Sequence, residues 1–177
     1  MNILIVEDFR PVAKIFTEMF EQLGHKVVWV IGFKDKNVKN LMAITATGEE
    51  LRLNAKEFDL ALVDGELQFS TSEKDLYEGG PDAVAKLSKA GITCVGISSL
   101  APINKTMKQA GAVLAGQKIV MVLALVVGKF ITLEDLKAPS AAVRQLTDRD
   151  LKEFKSDSEF PGLWAQGEEL LVKHLKD

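Results

Sequence analysis

The sequence predicts an α/β fold in which a parallel sheet carries helices on both faces. Short apolar segments alternate with segments of helical spacing along the first three quarters of the chain, and this alternation is typical of such sheets. Acidic, hydroxyl and lysine side chains directly follow several of the apolar segments. In open α/β sheets, ligands bind at these carboxyl ends of the strands. The 177 residues, 47% hydrophobic and 27% charged, are enough for one domain with an appendage.

The strands and helices of this unit can be placed by apolar periodicity. Strands are predicted at residues 2–6, 27–31, 58–64, 92–97 and 111–115. Helices are predicted over residues 11–23, from Pro81 to just before Gly91, and over residues 103–110. Pro11 suits the first turn of the first helix, and Gly24 suits its C-terminal end.

Two segments interrupt the alternation. Residues 41–54 alternate between apolar and polar positions around a turn that contains Gly48, which predicts a β-hairpin. The polar segment 68–80 follows the strand that ends at Asp64. Long loops in compact domains are often lids or binding loops, and a neutral surface insertion is an equal alternative here.

The run 119–127 is apolar throughout and has no polar face. We predict a helix because a helix follows a strand in this topology, although a sixth strand would be buried in the same way. One side of the helix would pack on the sheet. Its other side must therefore meet either the C-terminal segment or a second subunit.

Residues 133–177 are predicted to form a helical extension packed on a first unit of residues 1–132. Pro139 and Ser140 predict the start of a helix that runs to Leu146. Thr147 is predicted to cap a second helix from residue 148 to about residue 154, and residues 163–175 form a last helix. His25 and His174 lack partners at metal-ligand or catalytic spacing, so we expect both on the surface.

The composition argues against several functions. The net charge is −3, so there is no basic field for nucleic acid or an anionic membrane. The run 119–127 is far shorter than the ~20 residues that span a bilayer, and no basic leader precedes the first strand. Cys94, the one cysteine, excludes an intrachain disulfide. We therefore expect a cytoplasmic protein without nucleic-acid or membrane partners.

Five side chains at the predicted strand ends could form one site. Glu7 and Asp8 follow the first strand, Asp64 ends the third, and Ser98 and Lys118 follow the fourth and fifth. Converging carboxylates repel each other unless a cation lies between them, and an all-oxygen set suits Mg²⁺. Asp64 could then attack phosphorus, with Asp8 as a direct metal ligand and Glu7 as a ligand through water. Lys118 would hold the phosphoryl oxygens, and Ser98 would donate a hydrogen bond to them.

These motifs resemble the receiver domain of two-component response regulators over roughly residues 1–130. The matching features are the acidic pair after the first strand, Asp64, Ser98 with Ser99, and the spacing from Gly111-Ala112 to Lys118. The resemblance implies a flavodoxin-like sheet of strand order 2-1-3-4-5 and phosphorylation of Asp64 by a histidine kinase or phosphotransfer protein. It also implies that the backbone carbonyl of Glu66 is a metal ligand.

The chain departs from the family pattern at three places. Leu67-Gln68 replaces the usual Met-Pro turn, Ile119 replaces the proline after the lysine, and Ala115 replaces the usual aromatic residue. The usual aromatic switch is therefore missing. We expect any output to pass through the loop 68–80 or the run 119–127, and to change contacts of the C-terminal segment rather than activate DNA binding.

Two alternatives to a phosphorylated receiver remain open. The chain could be a degenerate receiver that binds a partner constitutively; its output protein is unknown, and a homodimer is possible. Alternatively, Glu66, two residues after Asp64, is where haloacid dehalogenase-type phosphatases place a general acid/base. Those enzymes take their metal-binding acids from after the lysine, and here Glu134-Asp135 has no strand before it.

Overall fold

The computed structural model describes residues 1–34, 39–67, 79–156 and 162–176. The strands in these ranges are β1 (Asn2–Val6), β2 (Lys26–Phe33), β3 (Met42–Thr45), β4 (Glu50–Arg52), β5 (Leu60–Asp64), β6 (Thr93–Ile97) and β7 (Leu114–Gly116). The helices are α1 (Arg10–Gln22), α2 (Gly80–Lys89), α3 (Ala101–Gln109), α4 (Lys118–Val122), α5 (Leu133–Lys137), α6 (Ala141–Asp148), α7 (Leu151–Ser156) and α8 (Leu163–Leu175). The predicted loop 68–80 falls almost wholly outside the described residues.

The strands form one sheet in the order β4-β3-β2-β1-β5-β6-β7. β2, β1, β5, β6 and β7 are mutually parallel, so the strands predicted from the sequence stand in the order 2-1-3-4-5. This order is that of the doubly wound, flavodoxin-like class, and the fold prediction is confirmed.

The predicted hairpin is β3 and β4, which pair antiparallel with each other and extend the sheet beyond β2. Gly48, in the turn between them, adopts φ +84°, a left-handed conformation that glycine reaches without steric cost. The chain between β2 and β5 thus lengthens the sheet at one edge.

Helices cover both faces of the parallel sheet. Side chains of α1 pack on one face with Ile3, Ile5, Leu62 and their neighbours. α2 and α3 cover the opposite face, where Leu4 and other alternate strand residues point. The alternation of burial along each strand follows from the two-residue repeat of a β-strand.

The apolar run 119–127 is helical, as predicted. α4 continues into a π-helical turn over Leu123–Val127. One side of this segment joins the sheet core, and Val120 and Leu123 pack on the other side against Phe154 and Trp164. Of the two coverings that the sequence left open, the C-terminal segment is the one found in the structure.

The C-terminal helices agree with the sequence except near Thr147. Ser140 caps α6 as predicted, because its hydroxyl accepts a hydrogen bond from the Val143 N–H at 3.3 Å. The prediction that Thr147 caps the next helix was wrong: Thr147 lies inside α6 and donates to the Arg144 carbonyl at 2.9 Å. Asp150, immediately before α7, accepts from the Lys152 N–H instead.

Two further features were not anticipated. α5 has a reciprocal capping box in which Thr132 and Asp135 each accept from the other's backbone N–H. His174, expected on the surface, is only 2% exposed, and its Nε2 lies 3.4 Å from a carboxylate oxygen of Glu18 on α1. Within the described ranges, no helix has the length and apolar character to span a bilayer.

Candidate functional site

The parallel register brings the predicted site residues to one edge of the sheet. Val6 is the register partner of Val63, and Asp64 is the partner of Ile97, which in turn faces Gly116. The residues that follow these positions therefore emerge side by side. This alignment delivers Glu7, Asp8, Asp64, Ser98 and Lys118 to the carboxyl ends of the strands.

Three carboxylates form the centre of the site. One oxygen from each of Glu7, Asp8 and Asp64 lies within 4.8 Å of the others. Glu7 and Asp64 are buried, and Asp8 is half-buried. The backbone of Glu7 is fixed by a hydrogen bond from its N–H to the Val30 carbonyl at 3.0 Å and by one from the Trp29 indole to its carbonyl at 2.8 Å.

Lys118 is the cation of the site. Its Nζ lies 2.9 Å from Oε1 of Glu7 and 3.0 Å from Oδ2 of Asp64. Its side chain is only 13% exposed, so these two ion pairs are poorly screened by solvent. One ammonium thus faces three carboxylates, and the cluster keeps an excess of negative charge when all four groups are ionised.

The pKa values reflect this imbalance. Burial, and then the charge of Asp64, raise the pKa of Glu7 to about 8, although Lys118 opposes the shift. The same two causes raise the pKa of Asp8 to about 6. Burial alone would lower the pKa of Lys118, but Glu7 and Asp64 outweigh it, so that pKa lies above its ordinary value. The lysine stays charged while two of the carboxyls hold protons more tightly than usual.

The donor set fits a divalent cation. Oε1 of Glu7 accepts from Lys118 and from the Phe9 N–H, but the buried Oε2 of Glu7 has no hydrogen-bond partner among the described residues. A buried carboxylate oxygen without a partner is costly, and a cation would satisfy it. Oxygen ligands that carry full negative charges are those that Mg²⁺ prefers.

Ser98 and Glu66 contact each other. The Ser98 hydroxyl donates to a carboxylate oxygen of Glu66 at 3.4 Å and accepts from the Leu100 N–H at 3.1 Å. The Glu66 N–H donates to Oδ1 of Asp64 at 3.2 Å. Glu66 therefore contacts Asp64 through its backbone N–H and Ser98, which follows β6, through its carboxylate, an arrangement that the sequence did not reveal. The role of the Glu66 carbonyl as a metal ligand stays a prediction.

The position of the missing aromatic residue is closely packed. Ala115 is buried, and a Cβ on Gly96 of β6 would stand 3.0 Å from the Ala115 Cβ and 2.9 Å from the Met107 side chain. Met107 of α3 thus fills space beside β6 and β7. Ala115, where the resemblance implied an aromatic ring, is thus a small side chain within a well-filled core.

Gly80, at the start of α2, packs against the backbone of Asp64 and Gly65. Its N–H donates to the Gly65 carbonyl at 3.1 Å, and a Cβ at this position would collide with the Asp64 carbonyl oxygen and the Gly65 Cα. From its sequence, Gly80 was expected only at the end of the loop 68–80. The sequence signal of this role is the Gly79-Gly80 pair directly before a helix-starting proline.

Gly80→Ala is expected to lower the free energy of unfolding by about 1–3 kcal/mol, because the backbone of Asp64 and Gly65 must move to admit a methyl group. Urea denaturation followed by circular dichroism measures the change. Lys86→Ala, an exposed substitution in the same helix, is the control and should stay within about 0.5 kcal/mol of the parent. Equal stability of the parent and Gly80→Ala would show that the contact is not tight.

The affinity for Mg²⁺ or Mn²⁺ is expected to rise with pH between about 5.5 and 8.5, because Asp8 and Glu7 must lose protons to bind a cation. The slope should approach tenfold per pH unit where one carboxyl deprotonates on binding. Trp29 fluorescence in a Trp164→Phe background is a suitable measurement, because the Trp29 indole contacts Glu7. Asp8→Asn should weaken binding and flatten the profile near pH 6, whereas a pH-independent affinity would contradict the assignment.

The fold and the site define a doubly wound α/β protein with an acidic, lysine-bearing site at the carboxyl ends of its parallel strands. Solved structures to which it is similar include response regulator receiver domains. The receiver domain of the Francisella response regulator 1452 is 16% identical, with 66% of this chain and 83% of that chain covered and a TM-score of 0.43. The BeF3-activated receiver domain of Klebsiella pneumoniae RstA is 18% identical, with 67% and 86% covered and a TM-score of 0.46.

A CheY-like receiver domain protein from Methanospirillum hungatei JF-1 is 21% identical, with 66% of this chain and 80% of that chain covered and a TM-score of 0.44. No family model matches the chain, and no curated protein matches it significantly.

Proposed function

We propose that the chain is a receiver that accepts a phosphoryl group on Asp64 from a phosphohistidine of a kinase or phosphotransfer protein. The observation that carries this proposal is the meeting of three carboxylates within 4.8 Å, with Lys118 3.0 Å from Asp64. A carboxylate beside a cation and two further acids has the parts needed to attack phosphorus and to hold the product.

In the proposed transfer, an oxygen of Asp64 attacks the phosphorus as the bond from phosphorus to the imidazole nitrogen breaks. The imidazole leaves and takes up a proton, and Asp64 becomes an acyl phosphate. Because Asp64 is only 1% exposed, the side chains around it must move aside for the donor to enter. Lys118 would then donate to a phosphoryl oxygen instead of the Asp64 oxygen, and Ser98 would donate to a second phosphoryl oxygen instead of Glu66.

Glu7, Asp8 and Asp64 would hold Mg²⁺, together with the Glu66 carbonyl. When bound, the ion would offset the charge of the carboxylates and of the phosphoryl oxygens, which no single lysine can balance. Glu7 suits this role because its buried Oε2 has no other partner among the described residues.

We propose that residues 133–177 form the output element of this receiver. A cavity of about 350 Å³ adjoins Lys118 and Ser99, and Leu151 of α7 and Leu171 of α8 form part of its wall. A shift of Lys118 toward a phosphoryl group would change the shape of this cavity and the packing of both helices. The extension has seven basic and ten acidic residues, and this net negative charge favours a protein partner over DNA.

Labelling with acetyl phosphate and Mg²⁺ tests the function. A receiver is expected to take up one phosphoryl group per chain, seen by intact mass and removed by hydroxylamine, with negligible turnover of a generic phosphate ester. Continuous ester hydrolysis would favour the phosphatase alternative. Mg²⁺ binding without labelling would favour the degenerate receiver.

Hydrogen exchange tests the output. With beryllium fluoride as a phosphoryl mimic, we expect altered exchange in α7 and α8 and no gain of affinity for duplex DNA. Unchanged exchange in both helices would refute the assigned output, and mimic-dependent DNA binding would do the same.

A further inference from the structure

Asn104 of α3 is a buried amide in direct contact with the backbone of the site. It is 6% exposed, and its Nδ2 donates a hydrogen bond to the backbone carbonyl of Ser98 at 3.0 Å. The same carbonyl accepts a hydrogen bond from the Lys118 N–H at 3.3 Å. One carbonyl oxygen therefore joins α3 to the two residues that carry the hydroxyl and the ammonium of the site.

The other contacts of Ser98 determine how far it lies from β5 and β7. Its side chain packs on Gly65, the residue after Asp64, because a Cβ built on Gly65 would lie 2.7 Å from the Ser98 Cβ. The Ser98 N–H donates to the carbonyl of Gly116, two residues before Lys118, at 3.2 Å. Ser98 thus contacts both neighbouring strands. A movement of its peptide group would change the positions of the hydroxyl and of Lys118 relative to Asp64.

An amide is an unusual side chain at this position. The neighbouring buried residues of α3, Ile103 and Met107, are apolar and belong to the core. Oδ1 of Asn104 is buried and has no hydrogen-bond partner in the part of the chain that the structure describes. Such an atom costs free energy, and an apolar side chain would avoid that cost. A buried polar group that packing does not require is expected where a site needs it, and here its N–H is bonded to Ser98.

We propose that Asn104 is a positioning residue for phosphoryl transfer, which holds the Ser98 hydroxyl and Lys118 where the phosphoryl oxygens will lie. The inference rests on the proposed function and adds to it a residue that acts through the backbone of Ser98. Groups that stabilise a transition state must be held within about 0.5 Å of their productive positions. A displacement of about 1 Å is enough to cost on the order of a hundredfold in rate.

Asn104→Leu tests the assignment, because leucine has the same branched outline but no N–H. Asn104 lines a cavity of about 240 Å³ that offers space for the larger methyl groups. The Ser98 carbonyl keeps its bond from the Lys118 N–H, so the midpoint of urea unfolding should stay close to that of the parent. We expect the single-turnover rate constant for labelling by acetyl phosphate and Mg²⁺ to fall at least about tenfold. The affinity for Mg²⁺, read from Trp29 fluorescence, should be that of the parent, because the three carboxylates are unchanged.

Asn104→Ala also removes the N–H and serves if the leucine variant does not fold. Asn104→Gln retains the amide, and we expect it to recover most of the lost rate. Gln109→Leu replaces an exposed amide of the same helix and is the matched control, which should be labelled at the rate of the parent.

The outcomes separate the role of Asn104 from the function itself. A labelled parent, with Asn104→Leu labelled at the same rate, would overturn the role of Asn104 and leave the receiver intact. A loss of rate that follows a loss of folded protein, or that Asn104→Gln does not reduce, would assign the amide to stability and overturn the proposal as well. A parent that takes up no label would refute the receiver, and the role of Asn104 with it.

Discussion

Asp64→Asn is expected to abolish phosphoryl transfer from acetyl phosphate in the presence of Mg²⁺. The amide keeps the size and shape of the side chain but is not a nucleophile toward phosphorus, so the loss should be complete rather than partial. The variant should fold, because it also removes one of the charges that raise the pKa values of Glu7 and Asp8. Intact mass after labelling is the measurement.

Asp59→Asn is the matched control. Asp59 lies just before the same strand, and its carboxylate accepts a hydrogen bond from the Asn2 N–H at 2.8 Å, far along the strand from the acidic cluster. It should be labelled as the parent is. Labelling of Asp64→Asn at the parent level would identify another acceptor and refute the role assigned to Asp64.

Much of the fold could be predicted because local patterns and global topology agree. Alternating strand and helix periodicity determined the parallel sheet, and the hairpin followed from a two-residue repeat around Gly48. The meeting of Asp8, Asp64 and Lys118 was also predictable. Residues that follow parallel strands emerge at one edge, whatever their separation in sequence.

The remaining features depend on tertiary contacts that a local pattern does not encode. The burial of His174 requires α8 to pack on α1, and the contact between Ser98 and Glu66 depends on side-chain conformation. The error at Thr147 has a different cause. A threonine inside a helix can donate to a carbonyl of the preceding turn, so its presence does not by itself mark a helix start.

The capping box of α5 was readable but missed. Thr132 followed three residues later by Asp135 is a helix-start signal of the usual kind, with aspartate in place of glutamate. For the run 119–127, the sequence left two candidates for the element that packs on it, the C-terminal segment and a second subunit. An apolar surface does not itself specify what buries it.

Lys118→Met is expected to destabilise the metal-free chain by about 3–5 kcal/mol, the usual range when one member of a buried ion pair is removed. Methionine preserves the length and apolar stem of the side chain, so the loss reports the charge. Lys105→Met, an exposed substitution on α3, is the control and should change stability by less than about 0.5 kcal/mol.

The stability that Lys118→Met loses should depend on pH in a defined direction. The pKa of Glu7 is raised from 4.5 to about 8, so the native chain binds more protons than the unfolded chain between these values, and its stability falls as pH rises through that window. The pKa of Lys118 is also raised, so its ammonium contributes throughout the same window. Removing it should therefore cost most above pH 8, where Glu7 is anionic, and least near pH 5.

Glu7→Gln and Mg²⁺ each separate electrostatics from packing in the Lys118→Met variant. Adding Glu7→Gln should restore part of the lost stability, because one of the two buried anions left without the lysine is then neutral. Mg²⁺ should stabilise Lys118→Met more than the parent, since the ion no longer competes with an ammonium for the same carboxylates. Urea denaturation from pH 5 to 9 provides the free energies of unfolding of the parent, of Lys118→Met, of Lys118→Met with Glu7→Gln, and of Lys118→Met with Mg²⁺. A loss that is constant over this range and unchanged by Glu7→Gln would mean that Lys118 acts through packing, and the charge balance assigned to the site would be wrong.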